Sequence, residues 1–180
     1  MITEKDEYKR LLTNRLEENW KSFKILFDLK HYGNCISIMC QELDQVIVLL
    51  FLLKKKEYER NKLIGLSINS QKLYLAMPDN KKEYITEKYL KDFASTLDGW
   101  EKSIYDFGTS FHSLSKNYNY LLKNPIQGMN EIEKKQIYKY ITEYHTKGFP
   151  EEFSIEDLVP ILVAVFDKLS KSLVSYMDRL

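Results

Sequence analysis

Between Gly99 and Leu122 the chain reads GWEKSIYDFGTSFHSLSKNYNYLL, and its large apolar residues fall at Trp100, Ile104, Phe107, Phe111, Leu114, Tyr118 and Leu121. Steps that alternate four and three put all seven on one stripe of a helix. Small residues (Ser103, Gly108, Thr109, Ser110, Ser113 and Ser115) stand among the large ones, so neighbours can approach from more than one side. A surface helix has no use for that pattern, and a central helix does. The expectation is an all-α chain, an antiparallel helical bundle of about six helices with this stretch at its centre. Only four prolines interrupt 180 residues, which favours long helices, and no linker divides the chain, so residues 1–180 are expected to form one domain.

Other stretches keep the same period. From about Thr3 to Lys30, Leu12, Leu16, Trp20, Phe23 and Phe27 make one face, with Tyr32-Gly33-Asn34 as the stop and Gly33 as a left-handed cap. From near Asn34 to about Tyr58 the seam is Ile36, Met39, Leu43, Ile47 and Leu50. The second half of that helix is apolar all round, which fits contact on several sides or an oligomer interface. Residues 60–80 are ambiguous. The alternating runs Ile64, Leu66, Ile68 and Leu73, Leu75, Met77 fit a hairpin about Asn69-Ser70, and also fit a broken helix followed by a loop. The second is preferred, because an isolated hairpin is marginal.

Four pairs with capping-box spacing follow: Asn80 with Glu83, Asp98 with Glu101, Asn130 with Glu133, and Ser154 with Asp157. They predict helix starts ahead of the faces Ile85–Leu97, Trp100–Leu121, Ile137–Tyr144 and Leu158–Leu180. Pro160 should bend the last helix or loosen its first turn.

Lys and Arg total 27 against 26 Asp and Glu, a net charge of +1, so the overall balance gives no argument for a nucleic-acid partner. Cys35 and Cys40, five apart on a helix, point in different directions and are expected to be buried and reduced. No zinc spacing, Gly-rich phosphate loop or nucleophile elbow is present, so no metal or cofactor is expected. The N-terminus MITEKDEYKR lacks the apolar core of a signal peptide. The most apolar run, Val46–Leu53, is too short to span a bilayer. A cytoplasmic chain with no membrane segment is the expectation.

Chemistry could lie on a second stripe of the Gly99–Leu122 helix, made of Tyr105, Gly108, His112, Ser115 and Asn119. Such a groove could hold a phosphate or a base, with Tyr105, Ser113, Ser115, Asn119 and, from the preceding apolar helix, Gln41 as ligand contacts. His112 could serve as general acid or base, or be a hydrogen-bonded histidine at a helix contact. Asp44, just ahead of the most apolar run, could face His112 as its catalytic partner, or pair structurally with a lysine. His31 and His145 read as helix caps. Lys54–Lys56 reads as a solvated helix end, or as a phosphate contact if Arg60 or Lys62 joins it. Tyr118 and Tyr120 could stack on bases.

Four groups of residues carry a resemblance: Phe111-His112-Ser113-Leu114-Ser115 with Asn117-Tyr118-Asn119-Tyr120; the helix Ile137–His145; the terminal helix from Leu158-Val159-Pro160 to Leu180; and Gln41-Glu42-Leu43-Asp44. Together they resemble the HEPN superfamily of small all-α domains, in particular an uncharacterised bacterial HEPN-like branch. The resemblance implies the fold, a homodimer joined through the helices of Asp44 and His112, and binding of RNA or a nucleotide. Active HEPN nucleases carry an Arg followed by a His after four to six intervening residues. No such pair occurs here, where the arginines are Arg10, Arg15, Arg60 and Arg179. Catalysis is therefore expected to be lost or weak. The alternative is a non-catalytic interaction module, partner to a separate toxin, antitoxin or nucleotidyltransferase. A third reading is a metal-independent ribonuclease built on His112 and Asp44.

Overall fold

Seven helices and one two-stranded ribbon account for the residues that the computed structural model describes, 2–76, 81–109, 126 and 129–180. In order they are α1 (Glu4–Asp28), α2 (Tyr32–Leu53), α3 (Glu57–Ile68), β1 (Tyr74–Ala76), β2 (Lys82–Tyr84), α4 (Glu87–Ser95), α5 (Gly99–Thr109), α6 (Glu131–Tyr144) and α7 (Ile155–Asp178). The chain is thus essentially all-α, as its periodicity requires.

Of the Gly99–Leu122 stretch only Gly99–Thr109 (α5) is described, residues 110–122 lying outside the described residues, and among the described residues the helix that the others surround is α2. It packs against α1, α3, α4, α5 and α7, whereas α5 meets α2, α4 and α6. The reason is circumference. Cys35, Ile36, Ile38, Met39, Leu43, Val46, Ile47, Leu49, Phe51 and Leu52 are all buried, and they cover nearly every direction around the axis. Each fully buried side chain of this size contributes about 1.5–3 kcal/mol relative to leaving it in water. Of the two uses expected for this apolar surface, the structure takes contact on several sides. At 22 residues α2 is also long and apolar enough to cross a membrane, by length and composition alone.

Aromatic stacking ties α1 to α7. The Phe166 ring lies 4.5 Å from Phe23 and 5.1 Å from Trp20, both nearly parallel to it. All seven residues of the predicted α7 seam, Leu158 to Leu180, are buried. Pro160 lies within a helix that stays continuous, and its missing N–H leaves the Glu156 carbonyl without an intrahelical donor.

Local chemistry sets the boundaries. Capping boxes open α1 (Thr3 with Asp6), α6 (Asn130 with Glu133) and α7 (Ser154 with Asp157). The stop after α1 is not Gly33. Lys30 takes the left-handed conformation (φ 61°), its N–H donates to Phe27 and that of His31 donates to Leu26, while Gly33 and Asn34 already belong to α2. This is the Schellman arrangement, and it recurs at Ser70 (φ 52°) after α3.

The expected helix from Asn34 to Tyr58 ends at Leu53. Lys54–Lys56 place positive charge at the carbonyl end of α2, and Glu57 and Glu59 place negative charge in the first turn of α3. The first part of the ambiguous segment is helix, as preferred, and within the rest Tyr74–Ala76 is a strand and not a loop. Its partner is Lys82–Tyr84, with Tyr74 opposite Tyr84, Leu75 opposite Glu83 and Ala76 opposite Lys82. Glu83 therefore sits in β2 rather than in a capping box. The helix starts later, at Thr86, whose hydroxyl accepts from the Tyr89 N–H. Both cysteines are buried, as expected, neither is in a disulfide, and burial pushes the Cys40 thiol up to about 12.

Candidate functional site

Two of the residues singled out from sequence meet in space. Asp44 of α2 and Tyr105 of α5 line one groove of about 310 Å³ with Ile47, Val48, Leu90 and Lys91. Thr86 and Glu87, at the start of α4, complete its rim. Lys91 is ion-paired to Glu87 at 2.6 Å, and that pairing, helped by Asp44, holds its ammonium above the usual lysine range. Burial keeps the Tyr105 phenol neutral, and Asp44, Asp106 and Glu87 act in the same direction, against Lys91. The groove's field is that of carboxylates, which opposes a phosphate.

Gln41 is exposed one turn earlier on α2 and turns toward α1, where Arg15 Nη2 lies 3.4 Å from its Oε1. It does not line the groove. His112, Ser113, Ser115 and Asn119 lie outside the described residues, so the expected facing of Asp44 and His112 has no geometry here. So do Tyr118 and Tyr120. Among the described residues, no three of His, Cys, Asp or Glu converge as metal ligands would.

The carboxylate that the fold buries is Glu42, not Asp44. Glu42 is 1% exposed, and Asp44 is on the surface. Glu42 accepts a short hydrogen bond from the Asn19 amide through Oε1, and its Oε2 is buried without a partner. Burial pushes its carboxyl above the usual range, against the opposing pull of Asn19 and Arg15. The signal was in the sequence. Cys35, Ile38, Val46 and Leu49 stand seven and four residues to either side, and all are buried.

A second polar cluster joins α5, α6 and α7. Tyr176 donates to Glu101 at 2.8 Å. Lys168 Nζ stands over the rings of Tyr144 (4.5 Å) and Trp100 (5.0 Å). His145 Nε2 lies 3.1 Å from the Tyr140 hydroxyl. Burial, reinforced by Lys168, lowers the His145 pKa, so the neutral ring is favoured. His145 is also the C-cap residue of α6, as its position predicts, and its backbone N–H donates to the Ile141 carbonyl. His31 is the N-cap residue of α2 but makes no side-chain capping bond. These groups hold three helices together, and Lys168 and Tyr176 also line an open surface depression of about 390 Å³ on α7.

The arrangement that best fits a ligand lies where α2 ends, α3 begins and the ribbon folds against them. Lys62 of α3 and Lys82 of β2 both stand on the Tyr74 ring, at 4.5 and 4.3 Å from its centroid. The Tyr74 and Tyr84 rings meet edge to face at 6.2 Å. Lys56, Tyr58, Glu59 and Lys62 share a shallow depression of about 240 Å³ with Tyr74 and Leu75. Lys55 sits over Phe51 at 4.6 Å beside it. The condition set by sequence for a phosphate contact, that Lys62 or Arg60 join the Lys54–Lys56 run, is met by Lys62. Arg60 is not part of the depression, and its Nε is buried without a hydrogen-bond partner. Lysines interleaved with tyrosines on one face supply both a charge for phosphates and rings for bases. Sequence reasoning missed Lys82 and Tyr74, because the pairing of β1 with β2 brings them in.

Comparison with protein-family models, with curated proteins and with solved structures yields no match.

Proposed function

We propose that the chain is a HEPN-like, cytoplasmic helical module that binds RNA or a nucleotide without cleaving it. The observation that carries the reading is the convergence of Lys62 and Lys82 on Tyr74, beside Lys56 and Tyr58. Lysines of two elements, α3 and β2, reach one tyrosine ring, and in the depression that Lys56 and Lys62 line, Glu59 opposes them. The missing Arg–His pair supports binding without cleavage. Self-association belongs to the same proposal and is tested by light scattering, where a mass of two chains is expected and a monomer at high concentration would refute it.

The decisive experiment is a titration of fluorescein-labelled RNA at several salt concentrations. Three lysines engaging three phosphates of a single strand give a slope of log K against log salt near about −2. The double variant Lys62→Gln, Lys82→Gln should flatten that slope by about one unit or more. Absence of salt-sensitive binding would remove the proposal. The acidic groove around Asp44 favours the second reading, a docking module for a partner protein with a basic surface. RNA binding abolished by Asp44→Asn but untouched by the lysine variants would move the site there.

A further inference from the structure

We infer that the lysine–tyrosine patch takes a single strand, with Tyr58 and Tyr84 as platforms for unstacked bases, and not a duplex or a free nucleotide. This rests on the RNA reading above and narrows it.

Exposure is the first argument. Tyr58 is 80% exposed and Tyr84 50% exposed, on α3 and β2, flanking the ring that carries the two lysines. A tyrosine ring left in water offers an apolar face, and stacking a base on it removes area from both partners. Tyr74 plays a different part. With Lys62 and Lys82 within 4.5 Å of its centroid it is already occupied, and it fixes where the two ammonium groups stand.

Shape is the second argument. At about 240 Å³ the depression is smaller than the roughly 300–1,000 Å³ clefts that enclose small ligands, which favours a ligand that extends beyond it. The basic and aromatic residues continue beyond it, from Lys56 at the start of α3 to Tyr84 at the end of β2. A strand running across that surface can place phosphates on Lys56, Lys62 and Lys82 and bases on Tyr58 and Tyr84. An A-form duplex keeps its bases inside its own stack and offers the rings nothing.

The test is fluorescence anisotropy of a labelled twelve-nucleotide oligoadenylate. Unlabelled competitors are the same strand, a twelve-base-pair RNA duplex, AMP and inorganic polyphosphate. The single strand should compete at least ~10-fold better than the duplex or AMP. Tyr58→Ala should weaken strand binding by about 5- to 100-fold, Tyr58→Phe should preserve it, and neither should change competition by polyphosphate. Tyr58 is used alone because its exposure spares the fold, whereas Tyr84 also contacts Tyr74 within the ribbon. Equal competition by duplex, or full affinity in Tyr58→Ala, overturns the stacking inference and leaves the binding site standing. Failure of every polyanion to bind overturns the RNA reading beneath it.

Discussion

Replacing Glu42 by Gln should make the protein more stable at neutral and alkaline pH, and the gain should shrink as the solution is acidified. The carboxyl is 1% exposed, Oε1 has the Asn19 amide, and Oε2 has no partner. Burial is the main cause of its raised pKa. A carboxyl whose folded pKa lies above its unfolded value contributes fully below the unfolded value, near 4.5, and loses that contribution as pH rises through the folded pKa. Over that window the unfolded chain is ionised while the folded chain still holds the proton. Each pH unit between the unfolded and the folded pKa then costs about 1.4 kcal/mol. Asn19 and Arg15 oppose the shift and so narrow that window. Glutamine keeps the shape and the bond to Asn19 and carries no titration, although its amide leaves one buried donor in place of the orphan oxygen. The assay is urea denaturation from pH 5 to pH 9, followed by Trp20 fluorescence, on both proteins. All other titrations are shared, so the difference between them isolates Glu42. The difference should move in favour of Gln by up to about 1.4 kcal/mol per pH unit and then level off. A difference that is flat with pH, or that turns toward Glu as pH rises, refutes the account of a desolvated carboxyl.

Three further outcomes test the fold. Tyr176→Phe removes the donor to Glu101 and should cost about 1.5–3 kcal/mol in chemical denaturation, as hydrogen bonds to a charged acceptor do. Asn130→Ala breaks the capping box of α6 and should cost about 1 kcal/mol, with thermal melting as the readout; no loss would show that the box is not what starts the helix. Cys40, pushed by burial to about 12, should stay unreactive to a thiol reagent in the native protein at pH 8 and become reactive only with denaturant.

The legible parts of the fold are those where the deciding chemistry is local. The starts of α6 and α7 were readable because Asn130 with Glu133 and Ser154 with Asp157 are complete within four residues, and the buried stripe of α7 runs unbroken from Leu158 to Leu180. The hub was not, because periodicity measures the width of a stripe and not the number of neighbours. The apolar circumference of α2 held that information, and the aromatic seam of the Gly99 stretch outweighed it. The break before α3 carries neither glycine nor proline. Its signal is the switch from Lys54–Lys56 to Glu57, which suits the end of one helix dipole and the start of another. The ribbon was half legible. Leu73 and Leu75 alternate as a strand should, but Lys82–Tyr84 is exposed throughout and carries no apolar alternation, while Asn80 and Glu83 imitate a cap. Of the candidate site residues, Asp44 and Tyr105 line one groove across α2 and α5, whereas the sequence paired Asp44 with His112, which lies outside the described residues. The binding patch depended on Lys82, which only strand pairing brings to Lys62.

A net charge of +1 is therefore a poor guide to the partners of this chain. Charges interact over about 10 Å at ordinary ionic strength, so a bound strand feels the residues of one patch and not the sum over the molecule. The patch at α3 and the ribbon gathers lysines from positions 56, 62 and 82, while the groove behind it gathers Asp44 and Glu87 around a lysine already paired. The two surfaces share a short connection: β2 ends at Tyr84, Ile85 donates to the Leu73 carbonyl at 2.9 Å, and Ile85 and Thr86 then line the groove. On the proposed reading, opposite charges at the two ends of that connection would orient a polyanion before contact. An even spread of the same charges would leave the total unchanged and remove the orientation.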